Sequence, residues 1–422
     1  MRRTEQTQNV GRVPLLQLLF VTYYPFGYKP CVEIVMDQRG TVCIRKTKRK
    51  FEKILKFVPI VCLFLGWFLC GFALVLVVKE SKTYFDVVMN PVVGTWGIGV
   101  VLLQMGMIVY KVWIFDGIDV SVKMANEMLT IERELRADFE ELAAQRPRGW
   151  KYSPIRFQFL DWFTIILYFC SPILLIGVVS VGAEPFLFLV THTANFYPFL
   201  EHIWLPGYAK MFQIIIFFFI IWPVYNFIFY ELVRMMLFLF SLLVNVGAKT
   251  FSILHSLKKK QICKSGLFLH KAYYSRVRII SQSVEPALKI TLFVILTSFG
   301  LVTCATTFIV VRLHRKFRIG MTLFDGYISV NFLFLLGEVL TKFGRCDDVC
   351  KKFLRGCKNS EVLSKISRKE RRAYLKEVAS MQRLVLEVGV GQFTLARIKK
   401  GSKAKIMFYI FERIVNVLIA FR

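Results

Sequence analysis

The sequence predicts an all-α, seven-transmembrane helical membrane protein with inverted topology, its N-terminus cytosolic and its C-terminus extracellular, and with helical extensions into the cytosol. Three observations carry this prediction. Of 422 residues, 55% are hydrophobic and only 20% are charged, too few to cover a soluble protein of this size. Apolar runs of about eighteen residues or more recur, as transmembrane helices require. Basic residues concentrate between these runs.

Seven apolar segments are predicted to cross the bilayer as helices, because lipid offers no hydrogen-bond partner to an unpaired backbone group. Their approximate bounds are 57–78, 92–115, 159–181, 211–230, 287–311, 323–339 and 406–421. Residues 1–56 are predicted to form a cytosolic N-terminal segment. Residues 57–422 are predicted to form one seven-helix membrane domain.

The distribution of Lys and Arg sets the predicted orientation. Residues 1–56 hold twelve basic residues, whereas the loop 182–208 holds none. Because positive loops stay in the cytosol, the N-terminus is predicted inside and, after seven spans, the C-terminus outside. The loop 312–318 is basic although this scheme places it outside. The net charge of +29 is therefore attributed to membrane topology, and no nucleic-acid partner is predicted.

Three cytosolic segments are predicted to be helical, near 120–156, 231–285 and 343–403. Apolar residues recur at helical spacing in 120–142 and again in 361–388. The fourth apolar run continues past Glu231 and Arg234, whose i,i+3 spacing allows an ion pair. We expect these extensions to pack as a cytosolic bundle. The alternative is that each is a separate juxtamembrane helix that binds anionic lipid.

Patterns typical of enzymes are scarce, so no catalytic activity, cofactor or metal site is predicted. The five histidines form no His-Glu-x-x-His motif, and no phosphate-binding loop is present. Cys346, Cys350 and Cys357 cluster without a nearby His, which favours free thiols over zinc ligands. Gly389 and Gly391 lack the third glycine of a dinucleotide fingerprint and are predicted to end a helix.

A set of aromatic and polar residues is predicted to line a small-molecule pocket in the outer half of the membrane domain. The loop 182–208 is aromatic and almost uncharged, and neighbouring helix ends add polar groups. Such a pocket is the usual form of a ligand site, although Trp and Tyr also form the interfacial belt of membrane proteins. The candidates are Trp96, Gln104, Tyr168, Ser171, Tyr197, Trp204, Tyr208, Gln213, Tyr327 and Asn331.

The last apolar segment carries polar residues that a lipid-facing helix should not carry. Tyr409, Glu412, Asn416 and Ala420 recur at i, i+3, i+7 and i+11, and Arg413 lies beside them. Ionisable residues within a span usually face a cavity or a water path. The alternative is that Glu412 and Arg413 neutralise each other or extend toward the membrane surface. One helix cannot enclose a pore, so a pore needs copies from several subunits.

The residues before this segment carry a resemblance to a known family. Ser380-Met-Gln-Arg383-Leu-Val-Leu-Glu-Val-Gly389 is followed by Gln392-Phe393-Thr394, a basic turn and a short last helix. This tail resembles the C-terminal signature of insect-type gustatory and odorant receptors, the chemoreceptor superfamily of arthropods, and most of all its divergent gustatory receptors. The seven helices and inverted topology are similar as well. The last helix departs from the family pattern, since no Gln precedes Phe421.

The resemblance implies a gustatory receptor that acts as a ligand-gated non-selective cation channel in the plasma membrane. It implies a homo- or heterotetramer of related subunits, a tastant or odorant bound in the outer half of each bundle, and a pore lined by the last helix. The competing classes are a secondary transporter or permease, and a membrane sensor without a pore. The predicted pore-lining residues are Tyr409, Glu412, Ile414, Asn416, Leu418 and Phe421.

Overall fold

The computed structural model shows a bundle of long helices with two short β-hairpins. It describes residues 32–36, 42–46, 56–143, 266–314, 319–359 and 366–421, together with short stretches within 19–25, 165–192, 219–253 and 363–364. Most of the predicted spans 159–181 and 211–230 lies outside these residues.

The described helices and strands follow one another with short connections wherever both neighbours are described. The helices are α1 (Phe57–Glu80), α2 (Tyr84–Val88), α3 (Pro91–Tyr110), α4 (Ile118–Ala143), α5 (Gly266–Phe308), α6 (Ile319–Lys358), α7 (Arg368–Ser380) and α8 (Ser402–Ala420). The strands are β1 (Val32–Met36), β2 (Val42–Lys46), β3 (Glu387–Val390) and β4 (Phe393–Arg397). Single π-helical turns extend α3 to Phe115 and α5 to Leu313.

Four described helices are long and apolar enough to cross a bilayer, namely α1, α3, α5 and α6. This confirms a mostly helical chain with several membrane-capable helices. α5 and α6 are longer than the predicted spans within them, with 43 and 40 residues. A 40-residue helix is about 60 Å long, which exceeds the thickness of a bilayer. α8 is not in this group, because it carries Lys403, Lys405, Glu412 and Arg413.

The main core lies between α3, α5, α6 and α8. Leu292, Leu336 and Ile410 are among its buried residues, and the rings of Phe299 and Phe332 stack with centroids 4.5 Å apart. Within a bilayer such contacts stabilise the bundle through van der Waals packing, because the surrounding lipid is as apolar as these side chains. α8 is therefore held to the bundle along its length by apolar contacts.

A second core joins α4, α5, α6 and α7 at the end of the molecule that also carries the β3–β4 hairpin, here called the hairpin end. The Tyr274 ring stacks on Phe353 at 5.1 Å, and its hydroxyl donates to the carbonyl of Gln382 at 2.9 Å. Met128 and Ile131 of α4 are buried in the same cluster. The four helices thus pack together as a bundle at this end, and the cytosolic location of that bundle stays a prediction.

The three clustered cysteines belong to this second core. Cys346, Cys350 and Cys357 are all buried, at intervals of one and two helical turns along α6. They pack beside Tyr374 and Val378 of α7. Their position is therefore that of small apolar side chains within a helical interface.

The ion pair predicted from helical spacing is present. Arg234 donates to a carboxylate oxygen of Glu231 at 2.7 Å, and both side chains are buried. The pair lies on a described helical stretch that covers 222–231 and 233–234. Burial of two charges is costly unless they are paired at good geometry, which this spacing provides.

The predicted helix over 361–388 is wrong in its second half. Ser367 caps α7 through a reciprocal capping box with Glu370, but the helix ends at Ser380. The chain then extends, and Val388 is buried on β3 instead of on a helix face. The chain is still mostly helical, and β3–β4 and β1–β2 add two short antiparallel hairpins that were not predicted. Strand pairing satisfies the backbone here, which helical periodicity could not indicate.

Candidate pore helix and ligand residues

The β3–β4 hairpin leads the chain into α8. The amide of Ile398 donates to the carbonyl of Leu386 at 2.9 Å, and the amide of Lys399 donates to the Ser402 hydroxyl at 2.9 Å. A Cβ atom at Gly344 of α6 would lie 3.0 Å from the Lys399 carbonyl oxygen, so the connection packs tightly against α6. The start of α8 is therefore fixed by backbone contacts.

A charged network ties this hairpin to α5. The Glu387 carboxylate accepts hydrogen bonds from Thr394 at 2.6 Å and from Arg397 at 2.9 Å. Lys289 of α5 donates to the Thr394 hydroxyl at 2.7 Å and lies 3.8 Å from Glu387. The hydrogen bond from Thr394, followed by Arg397, lowers the pKa of Glu387. The network keeps the hairpin against α5 while the carboxylate is ionised.

One face of α8 is buried against the other helices of the chain. Ile410 and Ile414 are 5% and 7% exposed. Gly300 of α5 and Gly337 of α6 face this helix, since a Cβ at each would lie 3.9 Å from Ile410 and 3.3 Å from Met407. Small residues at these positions let three helices approach closely.

The opposite face of α8 carries the polar stripe that the sequence predicted. Tyr409, Glu412, Asn416 and Ala420 are all exposed. The Arg413 guanidinium lies 4.6 Å from the centroid of the Tyr409 ring, a cation–π contact. Among the described residues no ion pair joins Glu412 to Arg413, so the alternative of mutual neutralisation is not what this conformation shows.

An apolar stripe borders the polar one on the exposed side of α8. Phe408, Phe411, Val415 and Ile419 are 72%, 54%, 51% and 64% exposed. A surface with adjacent polar and apolar stripes on one helix is not matched by lipid alone, which suits only the apolar half.

The predicted pore residues divide between the two faces of α8. Tyr409, Glu412 and Asn416 share the exposed face, whereas Ile414 packs in the main core. Leu418 and Phe421 are half-buried, and the Phe421 ring meets Phe308 edge-on at 5.7 Å. The helical repeat explains the division, because residues four apart lie on the same side. Ile414 packs in the main core in this conformation, and its pore-lining role stays a prediction.

The basic loop that disagreed with the predicted topology has a structural contact at its first residue. Arg312 donates from its guanidinium to the carbonyl of Leu418 at 2.9 Å. Leu418 lies in the last turn of α8, where carbonyls lack helical partners and a cation is favourable. Arg312 therefore caps the end of α8 that lies opposite the hairpin end.

The predicted ligand residues that are described lie in different environments. The Trp96 ring is 2% exposed and packs 5.0 Å from the Phe188 ring, within a core cluster. Gln104 is exposed on α3. The Tyr168 hydroxyl donates to the carbonyl of Tyr23 at 2.5 Å. Trp96 thus packs within a core cluster, and the ligand-binding role of these side chains stays a prediction.

The two predicted ligand residues on α6 are one turn apart. The Asn331 side chain is buried and donates to the carbonyl of Tyr327 at 2.7 Å, while the Tyr327 side chain is partly exposed. The other candidates lie outside the described residues and stay predictions: Ser171, Tyr197, Trp204, Tyr208 and Gln213.

Sequence reasoning missed a polar seam between α5 and α6. The hydroxyls of Thr307 and Ser329 lie 3.2 Å apart, and Asp325, one turn from Ser329, is 6% exposed. An Asp inside the predicted span 323–339 was the available signal, because ionisable residues in a span usually have a function. The seam places polar groups at the same end of the bundle as Tyr327.

Comparison with known proteins extends this description. No family model and no curated protein matches the sequence. Among solved structures, the chain is similar to the insect olfactory receptor OR5 from Machilis hrabei, with a TM-score of 0.59, 12% sequence identity, and coverage of 98% of this chain and 98% of that chain. The TM-score and the coverage show a shared fold over nearly the full length. The chain has the fold of an insect olfactory receptor.

Proposed function

We propose that this chain is a chemosensory receptor subunit, a gustatory receptor that forms a ligand-gated non-selective cation channel of the plasma membrane. The single observation that carries the proposal is the exposed polar stripe on α8, a helix whose other face is anchored to α5 and α6. The full-length likeness to an insect olfactory receptor supports the receptor class. The proposed topology has seven spans, with the N-terminus in the cytosol.

In the proposed assembly, four copies of α8 surround a central pore. Glu412 and Asn416 would line the ion path, because a ring of carboxylates attracts cations. Ile419, which is exposed and three residues beyond Asn416, would narrow the pore in place of Ile414. Leu418 and Phe421 would hold the outer end of α8 against the bundle.

The tastant or odorant would bind in the outer half of the bundle, at the end that carries Arg312 and Tyr327. Binding would favour a conformation in which α8 is displaced from the pore axis. Because α8 contacts α5 and α6, a ligand that changes the packing of these two helices would also shift α8 and so change the pore.

The proposal is tested by expressing the chain in a cell without chemoreceptor channels, alone and with a related subunit. Currents are recorded while sugars, bitter compounds and volatile compounds are applied. With an active ligand, we expect Glu412→Gln to lower cation conductance or change selectivity, because the proposed ring loses its charge.

The matched control is Glu80→Gln, the same loss of charge at the end of α1 and away from α8. It should leave permeation unchanged. Normal permeation in Glu412→Gln, or an equal change in both variants, would reject the ion-path role of Glu412. Uptake of the ligand itself without a current would instead indicate a transporter.

A further inference from the structure

A cavity of about 600 Å³ lies at the hairpin end, between α4, α5, α6 and the segment 381–386 that leads into the hairpin. It is distinct from the polar stripe of α8 and from the residues near Tyr327. Its volume falls within the range of about 300–1,000 Å³ that is typical of small-molecule sites. Its apolar side is formed by Trp113, Met124, Met128, Leu288 and Phe343.

The polar side of the cavity holds cations without acidic partners. Arg383 and Lys399 line it, both are exposed, and neither has a carboxylate within ion-pair distance among the described residues. Arg278 also lines it and donates to a neutral group, the side-chain oxygen of Gln382, at 3.0 Å. Against these three cations stands one lining carboxylate without a described ion pair, Glu285. The lining residues that have no described ion pair therefore carry a net positive charge.

A buried carboxylate in the wall lacks one hydrogen-bond donor. Asp347 is 2% exposed and lines the cavity. One of its oxygens accepts from Lys351 at 2.6 Å, whereas the other, Oδ1, is buried and has no partner. An unsatisfied buried oxygen is costly, so a hydroxyl donor brought to Oδ1 would stabilise it.

We propose that this cavity binds a polyol phosphate, of the inositol phosphate class, as the head group of a membrane phospholipid. The phosphates would pair with Arg278, Arg383 and Lys399, since guanidinium and ammonium groups form strong charge-assisted bonds to phosphate. A polyol hydroxyl would donate to Asp347, and the start of the acyl chains would lie on the apolar side.

A lipid source is favoured over a soluble phosphate by the position of the apolar side. Trp113 lies two residues from the end of the predicted span 92–115, which places it at the membrane boundary under the proposed topology. Leu288 likewise lies at the start of the predicted span 287–311. A ligand with both an anionic head and apolar chains matches this boundary position.

The test uses the full chain, purified in detergent, and measures binding directly by calorimetry, so that it does not depend on channel activity. The probes are a short-chain phosphatidylinositol bisphosphate, inositol trisphosphate and a short-chain phosphatidylcholine. We expect saturable binding of the bisphosphate lipid. The double variant Arg383→Gln/Lys399→Gln should weaken it about tenfold or more, because two charge-assisted contacts to phosphate are lost.

The matched control removes the same charge from the exposed surface of α7, as Lys369→Gln/Arg371→Gln. All four positions are exposed, so both double variants should fold normally. The control should keep wild-type affinity. Equal weakening in both double variants, equal binding of phosphatidylcholine, or no saturable binding of either inositol probe would overturn the proposal.

A third variant separates the two sources of the phosphate. Met124→Phe enlarges a side chain on the apolar side and should weaken the lipid while sparing inositol trisphosphate. Inositol trisphosphate that binds wild type as tightly as the lipid, with no effect of Met124→Phe on either probe, would overturn the lipid assignment.

Discussion

Gly389 shows how a single residue determines the connection into the pore helix. A Cβ at this position would lie 2.0 Å from the carbonyl oxygen of Phe393 and 2.9 Å from Cε of Lys289. The first distance is between the two strands of the hairpin, so neither atom can move without breaking strand pairing. Gly391 supplies the turn, with a φ of 56°. The two glycines serve a hairpin, whereas the sequence suggested the end of a helix.

We expect Gly389→Ala to destabilise the protein by about 1–3 kcal/mol, because overpacking of a tight contact costs about that much. Thermal unfolding of the purified protein in detergent measures the change. Gly71→Ala is the control, since a Cβ there meets nothing within 4 Å. In the interior of α1 it should be neutral or stabilising, because Ala favours helix over Gly. Equal stability of the two variants would contradict the close contact.

At the scale of elements, the hairpin and α5 are joined by a group that titrates. The pKa of Glu387 is lowered from its ordinary value of 4.5, first by the hydrogen bond from Thr394 and then by Arg397. A lowered pKa in the folded state means that ionised Glu387 stabilises the fold. This contribution is complete above the ordinary pKa and is lost as the pH falls through the lowered one.

We therefore expect the unfolding free energy of the wild-type protein to fall as the pH drops below 4.5, with a step that Glu387→Gln lacks. Denaturant unfolding at a series of pH values measures the step. Glu285→Gln removes the same charge from α5 outside the network and should retain the wild-type step. Identical pH profiles for wild type and Glu387→Gln would show that the network does not stabilise the hairpin.

At the scale of the whole molecule, α8 leaves an exposed surface that one subunit does not cover. Phe411 and Val415 are more than half exposed and lie beside the polar stripe. In the proposed tetramer, neighbouring copies of α8 cover these side chains, and the polar stripes face one another across the pore. Contact between the exposed stripes would link pore opening in one subunit to the next.

We expect the chain, 49.1 kDa per subunit, to form tetramers in mild detergent. Val415→Lys should disrupt them, because an ammonium would be buried in the interface. The same substitution at Val75, 62% exposed on α1, is the control and should leave the tetramer intact if that surface faces lipid. Mass photometry or particle imaging distinguishes the states. A monomeric wild-type protein, or a Val415→Lys tetramer, would contradict this arrangement.

The sequence by itself determined the helices and the polar stripe of α8. An apolar run in lipid must satisfy its own backbone, so α1, α3 and the central parts of α5 and α6 followed from composition. The helical repeat likewise placed Glu412 and Asn416 on one side. Both are local properties, and neither depends on distant residues.

Only the tertiary structure decided which residues of α8 are buried, where α7 ends and where a charged cavity forms. Ile414 is buried because α5 and α6 pack against it, and their small residues are far away in the sequence. The β3–β4 hairpin replaces the expected helix because Gly389 and Phe393 meet across a turn. Asp347 faces a cavity because four elements converge on it. Contacts between distant segments determine these features, so a local sequence pattern could not predict them.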